Sequence, residues 1–190
     1  MRKPLLIALF GLLLVMRTFA AGAPQQVFLT NGDQLTFVDL LTGSMSRLAV
    51  SGERFTPVGN AVMFYDRSQR RVMLASAGGT LAEHPFIQPR EGVARIDWHV
   101  APDESRIAWT ETSGTPSALT TTTYVADMAG SDIQQVLVDG PRDGIRAYPV
   151  AFNADHSVLY LDYQPDTIGD LTPFRQYAGL FALDLTSGET

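Results

Sequence analysis

Phe37-Val38-Asp39-Leu40-Leu41-Thr42-Gly43-Ser44 decides the fold, because the same phrase comes back three more times. It returns at residues 73–80 (MLASAGGT), at 125–131 (VADMAGS) and at 182–189 (ALDLTSGE). Each copy is the apolar end of a strand, an acidic or small residue, a tight turn carrying glycine, and the start of another strand. A small antiparallel unit repeated in this way buries its apolar face only against the next copy, so the phrase predicts stacked units.

Working outward from the phrase, the chain alternates or runs apolar for five to eight residues between turns, without a sustained helical period. Residues 26–30 and 34–40 flank Asn31-Gly32-Asp33, and Asn-Gly is the strongest short hairpin signal. A third strand over 45–50 completes a meander. The second unit reads as strands at 55–58, 61–65, 71–75 and 80–87, and the third at 94–100, 106–112, 122–127 and 133–138. The fourth unit offers 147–152, 158–163 and 180–185. The expected fold is all-β: β-propeller blades of four-stranded antiparallel meanders, about three and a half of them in an incomplete ring. The blades are expected near 26–50, 54–88, 94–138 and 146–190.

Two copies share a second phrase, Val100-Ala101-Pro102-Asp103-Glu104-Ser105-Arg106-Ile107-Ala108-Trp109 and Phe152-Asn153-Ala154-Asp155-His156-Ser157-Val158-Leu159-Tyr160-Leu161. An aspartate there accepts backbone N–H groups and holds a tight turn. The first of these resembles the WSPDG-x-x-I-A-[FY] signature of TolB-type and related WD40-like (PD40) β-propeller repeats. Tyr124-Val125-Ala126-Asp127 is similar to the I-Y-V-x-D strand of the same blade. Val100 stands where that family has an aromatic residue, Ala101 where it has serine, and Glu104 where it has glycine. The resemblance implies a ring of six to eight blades, so the chain reads as the N-terminal part of a longer protein or as a truncated reading frame, with a compact four-bladed ring as the alternative.

Residues 1–20 (up to 23) read as a secretory signal. Arg2 and Lys3 precede an apolar run over 5–16, and the small residues Ala20 to Ala23 follow. The run is shorter than the roughly 20 residues of a membrane-spanning helix. An uncleaved N-terminal anchor is the alternative. The expected location is exported: periplasmic, extracellular or on the outer face of a membrane. Without residues 1–20 the chain keeps 11 basic residues against 20 acidic ones, a net charge near −9. That balance argues against nucleic acid or anionic lipid as a partner, since both need a positive field. With no cysteine in the chain, stability rests on packing.

Chemistry is thinly signalled. Arg95, Asp97 and His99 share one side of a strand expected to lie innermost, so Asp97 and His99 are the candidate channel-lining residues. The competing reading is that they satisfy each other or nearby backbone between blades. Asp162, Asp166 and Asp170 are three carboxylates in a loop, but without the spacing of a calcium loop. His84 and His156 are isolated and expected to be exposed, and no zinc spacing is present. Residues 113–123 and the connection 165–177 read as loops leaving one edge of neighbouring blades, where binding usually resides. The sequence contains no G-x-S-x-G elbow and no nucleotide-binding glycine motif, so no catalytic residue, metal or cofactor is assigned.

The leading expectation is therefore an exported, non-catalytic scaffold that binds a protein, peptide or glycan. The alternative is the N-terminal gating propeller of a prolyl-oligopeptidase-like serine hydrolase whose catalytic domain lies outside this chain. A third reading is a channel-sited enzyme using Asp97 and His99.

Overall fold

The computed structural model describes residues 26–31, 33–166 and 179–189, and places in them fourteen strands and no helix. The expected signal segment, residues 1–20, lies outside the described residues. So do Asp170 and most of the 165–177 connection.

Four antiparallel sheets follow one another along the chain. The first holds β1 (Gln26–Asn31), β2 (Gln34–Asp39) and β3 (Met45–Ala49). The second holds β4 (Gly52–Val58), β5 (Ala61–Asp66), β6 (Arg71–Ser76) and β7 (Leu81–Glu83). The third holds β8 (Val93–Val100), β9 (Arg106–Thr115), β10 (Ala118–Asp127) and β11 (Gln134–Arg142). The fourth holds β12 (Ile145–Phe152), β13 (Val158–Pro165) and β14 (Phe181–Asp184). Within each sheet every strand pairs with its chain neighbour, as meander blades require.

The repeated phrase is a repeated hydrogen-bond pattern. The strand-ending residues Asp39, Ser76, Asp127 and Asp184 each donate their N–H to a carbonyl beyond the turn, on Ser44, Thr80, Ser131 and Glu189. Their own carbonyls accept the N–H of Gly43, Gly79, Gly130 and Gly188. Those four glycines have φ between +71° and +84°, where a Cβ would be strained. Aspartate adds a second lock. Asp184 Oδ1 accepts from the Thr186 hydroxyl and from the N–H groups of Ser187 and Thr186, which pulls its pKa down to about 2. The phrase ends the third strand of the second, third and fourth sheets but ends β2 in the first. β1 to β3 therefore correspond to the second to fourth strands of a blade.

Packing follows the alternation of strand side chains. In β5, Val62 and Phe64 enter a core shared with Leu35 and Phe37 of the first sheet. Met63, pointing the other way, enters a core with Ile96, Trp98, Ile107 and Trp109 of the third. In β9, Ala108 faces a further core with Ala147, Phe152, Leu159, Leu161 and Leu183 of the fourth. Both faces of the second and third sheets are thus covered, and β5, β6 and the first half of β9 read as near-continuous apolar runs. Each fully buried Leu or Phe contributes about 1.5–3 kcal/mol. Among the described residues no core joins the first sheet to the fourth, and the sheets form an open arc of propeller-like blades.

The turns of the second phrase also tie sheets together. Glu104 and His156 occupy equivalent positions with φ of +54° and +58°, the left-handed conformation for which glycine is the usual choice. Each uses its side chain to reach back to the preceding sheet. Glu104 Oε2 accepts the N–H of Gly59 at 2.7 Å, in the β4–β5 turn. His156 Nδ1 lies 3.2 Å from Ser105 Oγ, in the β8–β9 turn.

Three local expectations are corrected. Residues 113–123 are not a loop: β9 and β10 run on to a tight turn, with Thr115 opposite Ala118. The β-branched threonines at 120–123 favour extended backbone, and Gly114 allows the crossing, since a Cβ there would sit 2.2 Å from the Ala118 carbonyl oxygen. β7 stops at Glu83 and not at 87, because Pro85 has no N–H to pair; the Gln88 side chain instead donates to the carbonyls of Val72 and His84. His84 is buried, not exposed, and its Nδ1 accepts the Ile87 N–H at 3.1 Å.

Strand direction sorts charge. The first strand of each blade starts, and the second ends, at what we call the loop end; the repeated glycine turns lie at the opposite, turn end. All described arginines except Arg47 and Arg106 lie toward the loop end, where carboxylates such as Glu53, Asp66, Asp97, Glu111, Asp139 and Asp166 offset them. Asp39, Asp103, Asp127, Asp155 and Asp184 cap turns at the other end with few cations beside them.

Candidate functional site

At the loop end, the innermost strands of three consecutive sheets converge on one carboxylate. Asp97 of β8 is wholly buried. Arg54 Nε of β4 approaches its Oδ1 at 2.9 Å, Arg146 Nη1 of β12 its Oδ2 at 2.5 Å, and Arg95 Nε its Oδ2 at 3.1 Å. Burial by itself would raise the pKa of Asp97. The guanidiniums of Arg54, Arg146 and Arg95 more than reverse that and hold the carboxyl below its ordinary range. Arg146 is equally buried, and burial is the main cause that draws its own pKa down from the usual arginine value.

Local backbone irregularities aim these side chains. The pairing of β4 with β5 breaks register between Glu53 and Thr56, and Arg54 in that bulge has φ +56°. Such a bulge re-aims a side chain at the cost of about 1–3 kcal/mol of backbone strain. Arg95 follows a second break, between Val93 and itself. Arg95 opposite Thr112 and Arg146 opposite Gln164 occupy equivalent places in neighbouring sheets. A third bulge, between Pro149 and Ala151, offsets that equivalence by one residue in the sequence.

Above this cluster opens a cleft of about 190 Å³ lined by Glu53, Arg54, Tyr65, Ala94, Arg95 and Asp166. Its walls carry both signs of charge. Glu53 accepts from Arg54 Nη1 at 3.0 Å, and Asp166 Oδ1 stands 3.5 Å from Arg146 Nε.

Of the two residues singled out from sequence, Asp97 sits at the heart of this cluster and His99 does not. No hydrogen bond joins them. His99 packs toward Phe152, with ring centroids 6.2 Å apart, and burial lowers its pKa. An acid–base pair of Asp97 and His99 is therefore not formed, and Asp97 is an ionised anchor for arginines. Arg54 and Arg146 were missed from the sequence, each lying one residue ahead of a strand expected to begin at 55 and at 147. Of the three loop carboxylates, Asp162 is buried and accepts the Gly179 N–H at 2.9 Å, while Asp166 belongs to the cleft.

At the turn end, Ser105, His156 and Asp103 meet in a way that superficially suggests a nucleophile and base. His156 Nε2 lies 3.5 Å from Asp103 Oδ1 and Nδ1 lies 3.2 Å from Ser105 Oγ. The polarity is wrong for that chemistry. Ser105 Oγ donates its proton to Asp103 Oδ1 at 2.8 Å, so none is left for the imidazole to abstract. No protein-family model and no curated protein matches the chain.

Proposed function

We propose that the chain is an exported, non-catalytic β-propeller segment acting as a binding scaffold for a protein, peptide or glycan, met at the loop end. The observation that carries this reading is the convergence of three arginines from three sheets on the buried Asp97, directly beneath an open cleft. Guanidiniums fixed by a buried counter-charge and by backbone bulges lose little freedom when a ligand arrives, which is what preorganised recognition requires. The resemblance of residues 100–109 to TolB-type repeats supports the same reading, and the leader-like residues 1–20 support export.

An array of peptides and glycans probed with the purified chain tests binding. Saturable retention that weakens at least tenfold in a folded Arg95→Ala variant is expected. Retention of no ligand, or turnover of a prolyl anilide by the chain itself, would count against the proposal. Export is tested separately by fusing residues 1–23 to a phosphatase that is active only outside the cytoplasm; an inactive fusion removes that part of the reading.

A further inference from the structure

Resting on the scaffold reading above, we propose that the cleft is a carboxylate-binding site anchored by the Nε/Nη2 edge of Arg146. This side chain is completely buried, and its Nη1 is occupied by Asp97. Among the described residues, Nε and Nη2 have no hydrogen-bond acceptor. Those two N–H groups leave one edge of the planar guanidinium in parallel, the arrangement that takes both oxygens of a carboxylate side-on. Buried donors are rarely left unfilled, and an unfilled pair on a fixed arginine points to an acceptor that comes from elsewhere.

The carboxylate already at hand does not fill the edge. Asp166 Oδ1 stands 3.5 Å from Nε, close enough for ionic attraction and too far for a hydrogen bond. Its side chain is 36% exposed and lines the cleft. Arg146 does not itself line the cleft; Asp166, which does, stands beside its Nε, so an incoming carboxylate reaches the edge only by displacing this loosely held side chain toward solvent. Arg54 and Arg95, which also line the cleft, already neutralise Asp97 and Glu53, so the incoming carboxylate takes the place of Asp166 as counter-charge to Arg146; Tyr65 borders the same space. A cleft of about 190 Å³ admits a small carboxylic acid or the last residue of a peptide. Both present the same planar group with a single negative charge; phosphate can also bridge a guanidinium edge, but its higher charge is disfavoured beside Glu53 and Asp166.

The test follows the arginine Nε–H resonances of the ¹⁵N-labelled full chain by NMR while four probes are titrated. These are acetate, N-acetyl-Ala-Ala, its C-terminal amide, and inorganic phosphate. Saturable shifts with acetate and the free dipeptide, and none with the amide, are expected; shifts with the dipeptide alone identify a peptide terminus as the source. Asp166→Asn, a change at a partly exposed side chain, is expected to tighten carboxylate binding about tenfold by removing the competing charge. Arg146→Lys, which keeps a cation beside Asp97, is expected to abolish it. Absence of carboxylate-dependent shifts in both the wild type and Asp166→Asn overturns the site, as does tighter binding of phosphate or equal affinity in the two chains. Ligands retained on the array despite such a result would leave the scaffold reading standing, whereas an empty array together with that result would remove both.

Discussion

Asp97 keeps its charge where burial alone would neutralise it, and the three arginines around it are the reason. Its folded pKa lies below the unfolded value of about 3.9, so its stabilising contribution is complete above that pH and is lost as pH falls through the folded value. Asp97→Asn leaves three guanidiniums facing one another, and a loss of about 3–5 kcal/mol is expected by urea unfolding at neutral pH. An unchanged midpoint would show that the cluster is not anchored as described. His84 behaves in the opposite sense. Burial lowers its pKa from 6.5 to about 4, and its Nδ1 accepts the Ile87 N–H, so the folded chain holds it neutral. Protonation then favours unfolding, and stability should fall by roughly 2 kcal/mol as pH drops from 6.5 toward 4. His84→Gln should flatten that part of the stability profile; the same slope in the variant would assign it to other groups.

Among the elements, the glycine turns share a glycine at positive φ, in two turn lengths, and differ in what surrounds it. A Cβ on Gly130 would lie 2.3 Å from the Phe86 ring, whereas one on Gly43 would meet nothing within 4 Å. Gly43→Ala should therefore cost only the backbone penalty, about 1–2 kcal/mol. Gly130→Ala adds overpacking of about 1–3 kcal/mol. Thermal unfolding of the two variants checks the order, and equal losses would sink the argument. These turns were legible in the sequence because their chemistry is local: four similar phrases gave four turns closed by the same pair of backbone hydrogen bonds, two of them one residue longer than the others. The threonine-rich hairpin of β9 and β10 was not, because Gly114-Thr115-Pro116-Ser117 reads as a loop while its strand pairing is settled by partners across the sheet. Arg54 and Arg146 were hidden for a related reason. Each lies in a strand whose bulge breaks the counting by which equivalent positions in neighbouring repeats are found. Glu104 and His156 stood out as departures from a glycine, but the straps they form span some 45 to 51 residues and no local pattern announces them.

For the whole molecule, cores that join only consecutive sheets make stability a sum of neighbouring interfaces. The second and third sheets are covered on both sides, and the third, with its longer strands β9 and β10, should be the last to open. Amide hydrogen exchange should be slowest in β8, β9 and β10 and faster by at least tenfold in β1 to β3. Uniform protection from β1 to β14 would mean that the arc opens as one unit. The all-β class and the meander order were legible because repetition is a property of the sequence itself. The meeting of three arginines was not, since it depends on how far each blade turns relative to the last. Strand direction has a last consequence. The arginines where the innermost strands begin are roughly balanced by nearby carboxylates, and the aspartates of the far turns are matched by few cations. Negative charge is thus weighted toward one end, and the chain carries an electric moment along its strands. An ionic partner would feel a torque before touching it, so its capture rate should respond to salt more steeply than its rate of escape.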